Sequence, residues 1–269
     1  MSEPLKLSIR HVTRYRFDGP GSYGLQQLRK TPKTNAGQSI LTWETRVEGG
    51  KKELAFEDQH LNVVELISFE RDVSELSVIS EGTVSVTETH GVIGRHRGPA
   101  PLWLYERPTP RTKVGPAVRK LVRMIEGESD LDRLHGLKDL IKEEIVYEVG
   151  SSLSGGTAEE AATEGRGVCQ DHAHVFIACA RELGYPARYV SGYLMMDDRV
   201  EQDAMHAWAE AHVEGLGWVG FDPANGISPD KRYVRVATGL DYADAAPVTG
   251  LKTGGGGESM SVEIAVAQQ

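Results

Sequence analysis

The first ninety or so positions alternate between apolar and polar residues. "LSIRHVTRYRF", "LTWETRV", "VVELISF" and "ELSVISEGTVSVTE" all follow a period of two. That is the repeat of a strand, whose successive side chains point to opposite faces. Thr, Val, Tyr and Phe recur in these runs, as pleated, half-buried positions favour. Clusters such as "TNAGQ" and "EGGKK" divide them as turns. Several short strands at this spacing predict an antiparallel β-sandwich over residues 1–92, with one face of each sheet in water. Gly and Pro then become frequent, which predicts a linker over residues 93–114.

The period changes to that of a helix in the remaining segment, residues 115–269. "PAVRKLVRMIEG" places Val118, Leu121, Val122 and Ile125 on one face, with Gly127 as a stop. "SDLDRLHGLKDLIKEEIVY" repeats the pattern, with Ser129 or Asp130 as N-cap. A short helix, "TAEEAATEG", precedes "GRGVCQDHAHVFIACARELGYPARYVSGYL". Projected at about 100° per residue, Ala173, Phe176, Ile177, Ala180 and Leu183 form an apolar stripe that includes Cys169. Asp171, Arg181 and Glu182 fall towards the other side, Gly184 ends the helix and Pro186 prevents its continuation. Strands "ARYVSGYLMM", "MHAWAEAHV" and "GWVGFD" follow, then "RYVRVA" and "SMSVEIAV" about a glycine-rich turn at 254–257. The expected class is α+β: an N-terminal antiparallel β-sandwich, then a core of helices packed on an antiparallel sheet.

A length of 269 residues suits two modest domains. The net charge of −9, without a basic run, argues against nucleic acid as a partner. The first residues lack the apolar centre of a signal peptide, and no run of about eighteen apolar residues suggests a membrane span. Two cysteines are too few for a disulfide framework, so a reduced, cytoplasmic setting with a free thiol is expected.

One of those thiols has an unusual position. Cys169 follows a Gly-Arg-Gly turn and opens a helix, where free N–H groups and the positive dipole end favour a thiolate nucleophile. Gly165 and Gly167 permit a tight turn and a close backbone approach by substrate. Cys179, mid-helix, reads as a small buried hydrophobe.

A base is available downstream. In "AMHAWAEAHVEGLGWVGFDPANG", His206, Trp208, Glu210 and His212 alternate onto one face, and Trp218, Gly220 and Asp222 share a face of the next strand. A hairpin folded about Glu214 would set His206 opposite Asp222 and Trp208 opposite Gly220, near enough for imidazole and carboxylate to hydrogen-bond. A slip of one residue would turn Asp222 to the wrong face. Thiol, imidazole and carboxylate together would make a nucleophile, a base and its orienter.

"GRGVCQDHAHVFIACARELGYPARYVSGYL", "HAWAEAHVEGLGWVGFDPANG" and "RVATGLDYADAAPV" resemble the bacterial transglutaminase-like family, within the papain-like cysteine superfamily. The family pattern of G-x-C at a helix start, then H-A-W, then Trp followed by D-P is present in order. "LSIRHVTRYRFDGP" resembles the β-rich N-terminal region that accompanies this core in bacteria. The resemblance implies Cys169 as nucleophile, His206 as base, Asp222 as orienting carboxylate, and no metal or cofactor. It implies amide-bond chemistry through a thioester, on a peptide or protein substrate. Hydrolysis of peptide or isopeptide bonds is the expected outcome, since water is the default acceptor; transamidation of protein glutamine and a non-catalytic binding role on the same fold are the alternatives.

For the oxyanion, the Cys169 N–H is one donor, and Gln170 and Tyr147 are candidates for a second. The papain-type Gln six residues before the cysteine is replaced by Thr163. His172 and His174 are about 200° apart on a helix and cannot hold one metal ion together. His212 reads as structural, Trp208 and Trp218 as packing, and Glu210 as a solvated or salt-bridged strand residue. Asp197 and Asp198 belong to an acidic loop, "MMDDRVEQDA", that is solvated or borders the cleft.

Overall fold

The alternating segments of the N-terminal half form strands in a computed structural model that describes residues 3–18, 23–69, 73–150, 155–253 and 257–269. In chain order they are β1 (Leu5–Phe17), β2 (Tyr23–Leu28), β3 (Gln38–Glu48), β4 (Lys51–Glu57), β5 (Val63–Phe69), β6 (Glu75–Val86) and β7 (Val92–Gly94). The helical segment gives α1 (Pro116–Val122), α2 (Asp130–Glu144), β8 (Val146–Tyr147), α3 (Ala158–Glu164), β9 (Arg166–Gly167) and α4 (Cys169–Glu182). After them come β10 (Ala187–Leu194), β11 (Glu201–Gln202), β12 (His206–Val213), β13 (Gly217–Phe221), β14 (Tyr233–Gly239), α5 (Tyr242–Ala245), β15 (Val248–Thr253) and β16 (Glu258–Gln268).

The class is α+β, with antiparallel sheets at the N-terminal end and helices on an antiparallel sheet behind them. One N-terminal sheet has the order β11-β16-β1-β6-β3 and the other β15-β2-β5-β4. Tyr15 and Phe17 of β1, Leu28 of β2, Ile67 and Phe69 of β5, and Leu76 and Val78 of β6 form one buried cluster between the two sheets. The opposite end of β1 contributes Leu5, Leu7 and Ile9 to the core that also contains α4.

Two segments depart from the sequence expectation. The tail, counted with the 115–269 core, pairs into the N-terminal sheets: β16 runs antiparallel to β1 and β15 to β2. β16 alternates as β1 does, so it covers an edge that would otherwise expose unpaired N–H and C=O groups. β7 lies across the expected start of the linker and forms the edge of the core sheet, whose order is β14-β10-β12-β13-β7. The glycine-rich turn expected at 254–257 falls outside the described residues except for Gly257.

α2 begins where the sequence indicates. The Ser129 hydroxyl accepts the Asp132 N–H at 3.1 Å and the Asp132 carboxylate accepts the Ser129 N–H at 3.2 Å. α1 stops at Val122, short of Gly127, as Met124 N–H turns to the Leu121 carbonyl and Ile125 N–H to that of Val122.

α4 is buried on every side rather than along one stripe, and Asp171 and Arg181 are buried with the apolar residues. Both polar side chains bond backbone, and Arg181 also donates to the Thr112 hydroxyl at 2.9 Å. Asp171 accepts the Val168 N–H at 2.8 Å, and Arg181 donates to the carbonyls of Tyr105, Ala187 and Leu240. A helix enclosed on all faces tolerates such residues only when their polar atoms are satisfied in this way.

Candidate active site

The start of α4 is fixed by its approach. Gly165 closes α3 in the left-handed conformation, φ +65°, which spares the chain a Cβ clash. Gly167 follows because a Cβ there would meet the Asp171 Cβ at 2.6 Å and its Oδ2 at 2.9 Å. The chain therefore passes close enough for Asp171 to reach back to Val168 and cap the helix. β9 pairs in parallel with β8, Tyr147 opposite Gly167, and this holds Tyr147 beside the first turn of α4. His172 reaches the carbonyls of Val168 at 2.8 Å and Ile145 at 3.0 Å, tying the same turn to the end of α2. Cys169 and Gln170 occupy the first turn, where backbone N–H groups have no acceptor within the helix.

The β12–β13 hairpin does not fold about Glu214. Glu210 pairs with Gly220 and His212 with Trp218, so the centre is Gly215. Gly215 at φ +81° and Gly217 at φ +82° supply the left-handed conformations of this longer loop. His206 and Asp222 are consequently not directly opposite. The displacement is two residues in pairing, which preserves the face. Asp222 lies just past β13, bridged to Ile227, and its Oδ2 is 2.6 Å from the His206 Nε2.

Two further groups hold that carboxylate. Tyr233 donates its hydroxyl to Oδ2 at 2.7 Å, and the Asn225 amide donates to it at 2.7 Å. Oδ1 accepts the N–H groups of Ala224 and Asn225 at 3.0 and 3.2 Å. Sequence reasoning missed both residues. Asn225, three positions after Asp222 in "DPAN", carried a readable turn signal; Tyr233 carried none.

Burial opposes charge on this pair, but the hydrogen bonds outweigh it. Asp222 would be raised by desolvation, yet the bonds from His206, Tyr233 and Asn225 hold its carboxyl below the usual range. His206 would be lowered by desolvation, yet hydrogen bonds with Asp222 and Cys169, and their charges, raise it to about 10. With Nε2 committed to Asp222, Nδ1 is the ring nitrogen left for the thiol.

Cys169, Gln170, Tyr147 and His206 line one cleft of about 600 Å³. His11, Thr13 and Tyr15 of β1, with Met260 and Val262 of β16, form its opposite wall, so the N-terminal sheet is part of the cleft. Met196, Arg199 and residues 201–204 of the acidic loop border it.

The model of the transglutaminase-like superfamily core matches residues 119–223, and that of the bacterial transglutaminase-like N-terminal region matches residues 7–85. Together they take in about two thirds of the chain. The chain belongs to the transglutaminase-like superfamily. An "uncharacterized protein" of Mycobacterium leprae is 24% identical over 277 residues, covering 98% of this chain and 99% of its own length. One from Mycobacterium bovis is 39% identical over 128 residues, which span 44% of this chain and 41% of that protein. A crystal structure from Cytophaga hutchinsonii, named "putative cysteine protease", superposes with a TM-score of 0.79 at 23% identity, over 99% of this chain and 91% of that one. The fold is thus that of a papain-like, transglutaminase-like protein, and superfamily and fold together support a cysteine enzyme in the broad sense.

The other residues of this transglutaminase-like chain have structural partners. Cys179 is fully buried, and burial pushes its thiol far up. His174 accepts the Tyr242 N–H at 3.2 Å; burial, then Arg111 and Arg181, lower it to about 3, so it is neutral. His212 packs edge-on to Trp218. Trp208 is buried against His206 and Tyr233. Glu210 is not solvated: it is 0% exposed and binds Arg188 and Arg235 at 2.6 Å each. Asp197 pairs with Arg232 at 3.1 Å. The Thr163 hydroxyl is spent on the Glu159 carbonyl within α3. Among the described residues, no helix is long and apolar enough to cross a membrane.

Proposed function

We propose that this protein is a thiol enzyme that cleaves amide bonds through a thioester on Cys169, with His206 as proton carrier and Asp222 as its orienter. The reading rests on one observation: the His206 ring, hydrogen-bonded to Asp222, lines the same cleft as Cys169, which opens the buried helix α4. The raised His206 favours an imidazolium, and a proton held there is the partner a thiolate nucleophile requires.

In the first half-reaction the Cys169 Sγ attacks the carbonyl carbon. The Cys169 N–H, with Gln170 or Tyr147, stabilises the oxyanion. The C–N bond breaks as His206 gives its proton to the departing amine, leaving the thioester and a neutral imidazole. In the second, His206 takes a proton from water as the water oxygen attacks the thioester carbon; the C–S bond breaks, the carboxylic acid leaves, and Cys169 thiolate and His206 imidazolium are restored. An amine in place of water would give transamidation by the same steps. Hydrolysis is the favoured outcome, because the cleft is open to solvent along the acidic loop. The substrate is a peptide or isopeptide amide lying between the head of α4 and the wall formed by β1 and β16.

Mass spectrometry of a peptide library incubated with enzyme, with and without excess primary amine, tests this reading. Cleaved or deamidated products that persist in amine are expected. Amine adducts as the main product would make transamidation the activity.

A further inference from the structure

A second cavity, of about 730 Å³, lies on the other face of the core sheet. Tyr189 of β10 lines the cleft that holds Cys169, whereas its neighbour Arg188 lines the second cavity. Successive residues of a strand point to opposite faces, so the two sites are separated by the sheet itself.

The charge of this cavity is at odds with the chain. The protein carries a net −9, yet Lys33, Arg95, Arg97, Arg188 and Arg235 line this one space. Glu57 is the single carboxylate-bearing residue on its lining among the described residues. Behind the wall, Glu210 binds both Arg188 and Arg235. Lys33 is buried too, and its amine donates to neutral acceptors, the His60 carbonyl at 2.8 Å and the Thr238 hydroxyl at 2.9 Å. Two buried guanidiniums therefore share one buried carboxylate, with the Lys33 amine buried beside them. Asp58, the next carboxylate that acts on Lys33, lies 3.6 Å from Arg29. Burial, then Arg235 and Arg188, push the Lys33 amine well below its ordinary value, and an anion placed beside it would favour the charged form instead. At the mouth, Arg95 and Arg97 are exposed and form no ion pair among the described residues. Thr34 and Ala36 open the same rim to solvent.

Buried cations without counter-charge are costly, and removal of part of that cost is available to any anion that enters. Guanidinium groups present paired N–H donors matched to planar or tetrahedral oxyanions. A volume of this size falls within the range of small-molecule sites, roughly 300–1,000 Å³. We propose that this cavity binds a small oxyanion carrying two or more negative charges, a phosphate ester or a polycarboxylate, with Lys33 beneath it and Arg95 and Arg97 closing over it. This site is independent of the chemistry assigned to Cys169.

Calorimetric titration of the whole protein at low salt, with pyrophosphate in one arm and citrate in the other, tests the proposal. Saturable one-site binding is expected in at least one arm, tighter for pyrophosphate if the natural ligand is a phosphate ester and tighter for citrate if it is a polycarboxylate. Arg95→Ala/Arg97→Ala should weaken it tenfold or more and abolish the rise in Tm that the anion gives the wild type. These arginines are exposed, so the variant retains its fold and its ligand-free Tm. Lys33→Met should also weaken binding, while Lys120→Ala on the exposed face of α1 should leave it unchanged. Absence of saturable binding in both arms would overturn the proposal. So would equal affinity in wild type and Arg95→Ala/Arg97→Ala, or an equal loss in Lys120→Ala.

Discussion

His206 Nε2 lies 2.6 Å from Asp222 Oδ2 although the two residues are not partners across the β12–β13 hairpin. Asp222 reaches the imidazole from just beyond the strand, and Tyr233 and Asn225 hold it there. Asp222→Asn keeps the shape but removes the charge that supports the imidazolium, and turnover is expected to fall on the order of 10²–10⁴-fold. Tyr233→Phe removes one hydrogen bond to a charged group, about 1.5–3 kcal/mol, so a roughly ten- to hundredfold loss is expected. Tyr233 acts through Asp222, so its loss should also move the basic limb of the kcat/KM–pH profile to lower pH. A pH-independent loss in Tyr233→Phe would mark a structural role instead.

The raised His206 has a signed consequence for stability. Its value in the folded protein is about 10, above the ordinary 6.5. Its contribution is therefore fully present below about pH 6.5 and lost as pH rises through about 10. Urea unfolding of wild type and Asp222→Asn across that window should show the wild-type advantage narrowing towards alkaline pH. A constant difference would contradict the hydrogen-bonded ion pair.

Glu210 is the shared counter-charge of Arg188 and Arg235. Burial would raise its carboxyl, but the two guanidiniums hold it down at about 2. Its contribution is present above the ordinary 4.5 and lost as pH falls through about 2. Glu210→Gln leaves both arginines buried without that charge, and a loss of about 3–5 kcal/mol in urea unfolding at neutral pH is expected. A change under about 1 kcal/mol would show that solvent or another group compensates.

Gly167→Ala tests the geometry of the helix start. The new Cβ would lie 2.6 Å from the Asp171 Cβ, so the cap on Val168 must shift. Turnover should fall further than thermal stability does, because the displaced atoms are those two residues from Cys169. Unchanged kcat in a folded Gly167→Ala protein would remove this turn from the account.

Much of this was legible in the residues. The period of two found β1, β3, β5 and β6 but not β2, nor β4, whose seven residues are all exposed, and the helix of Cys169 was bounded by glycine and proline signals that are local. The residues named as nucleophile, base and orienter meet in space because strand parity survives a shift of two. The shift itself was not legible: both glycines of "VEGLG" take the left-handed conformation, and the string does not tell whether the hairpin centres on Glu214 or on Gly215. Helix α4 was read as one-sided because composition cannot show that Asp171 folds back to cap Val168 or that Arg181 reaches the carbonyls of Tyr105 and Leu240. The partnership of β16 with β1 joins opposite ends of the chain, and two alternating strands carry no label for one another. For the same reason the N-terminal wall of the cleft, with His11, Thr13 and Tyr15, had no signal in sequence.

The central claim is that an acyl group passes through Cys169. The most direct measurement is acid quench of the enzyme during turnover on a cleaved peptide, followed by proteolysis and mass mapping of both cysteines. An acyl adduct on the peptide that contains Cys169, absent from Cys179 and from the Cys169→Ala protein, is the expected result. Equal product formation by wild type and Cys169→Ala, with no adduct at Cys169, would contradict the account.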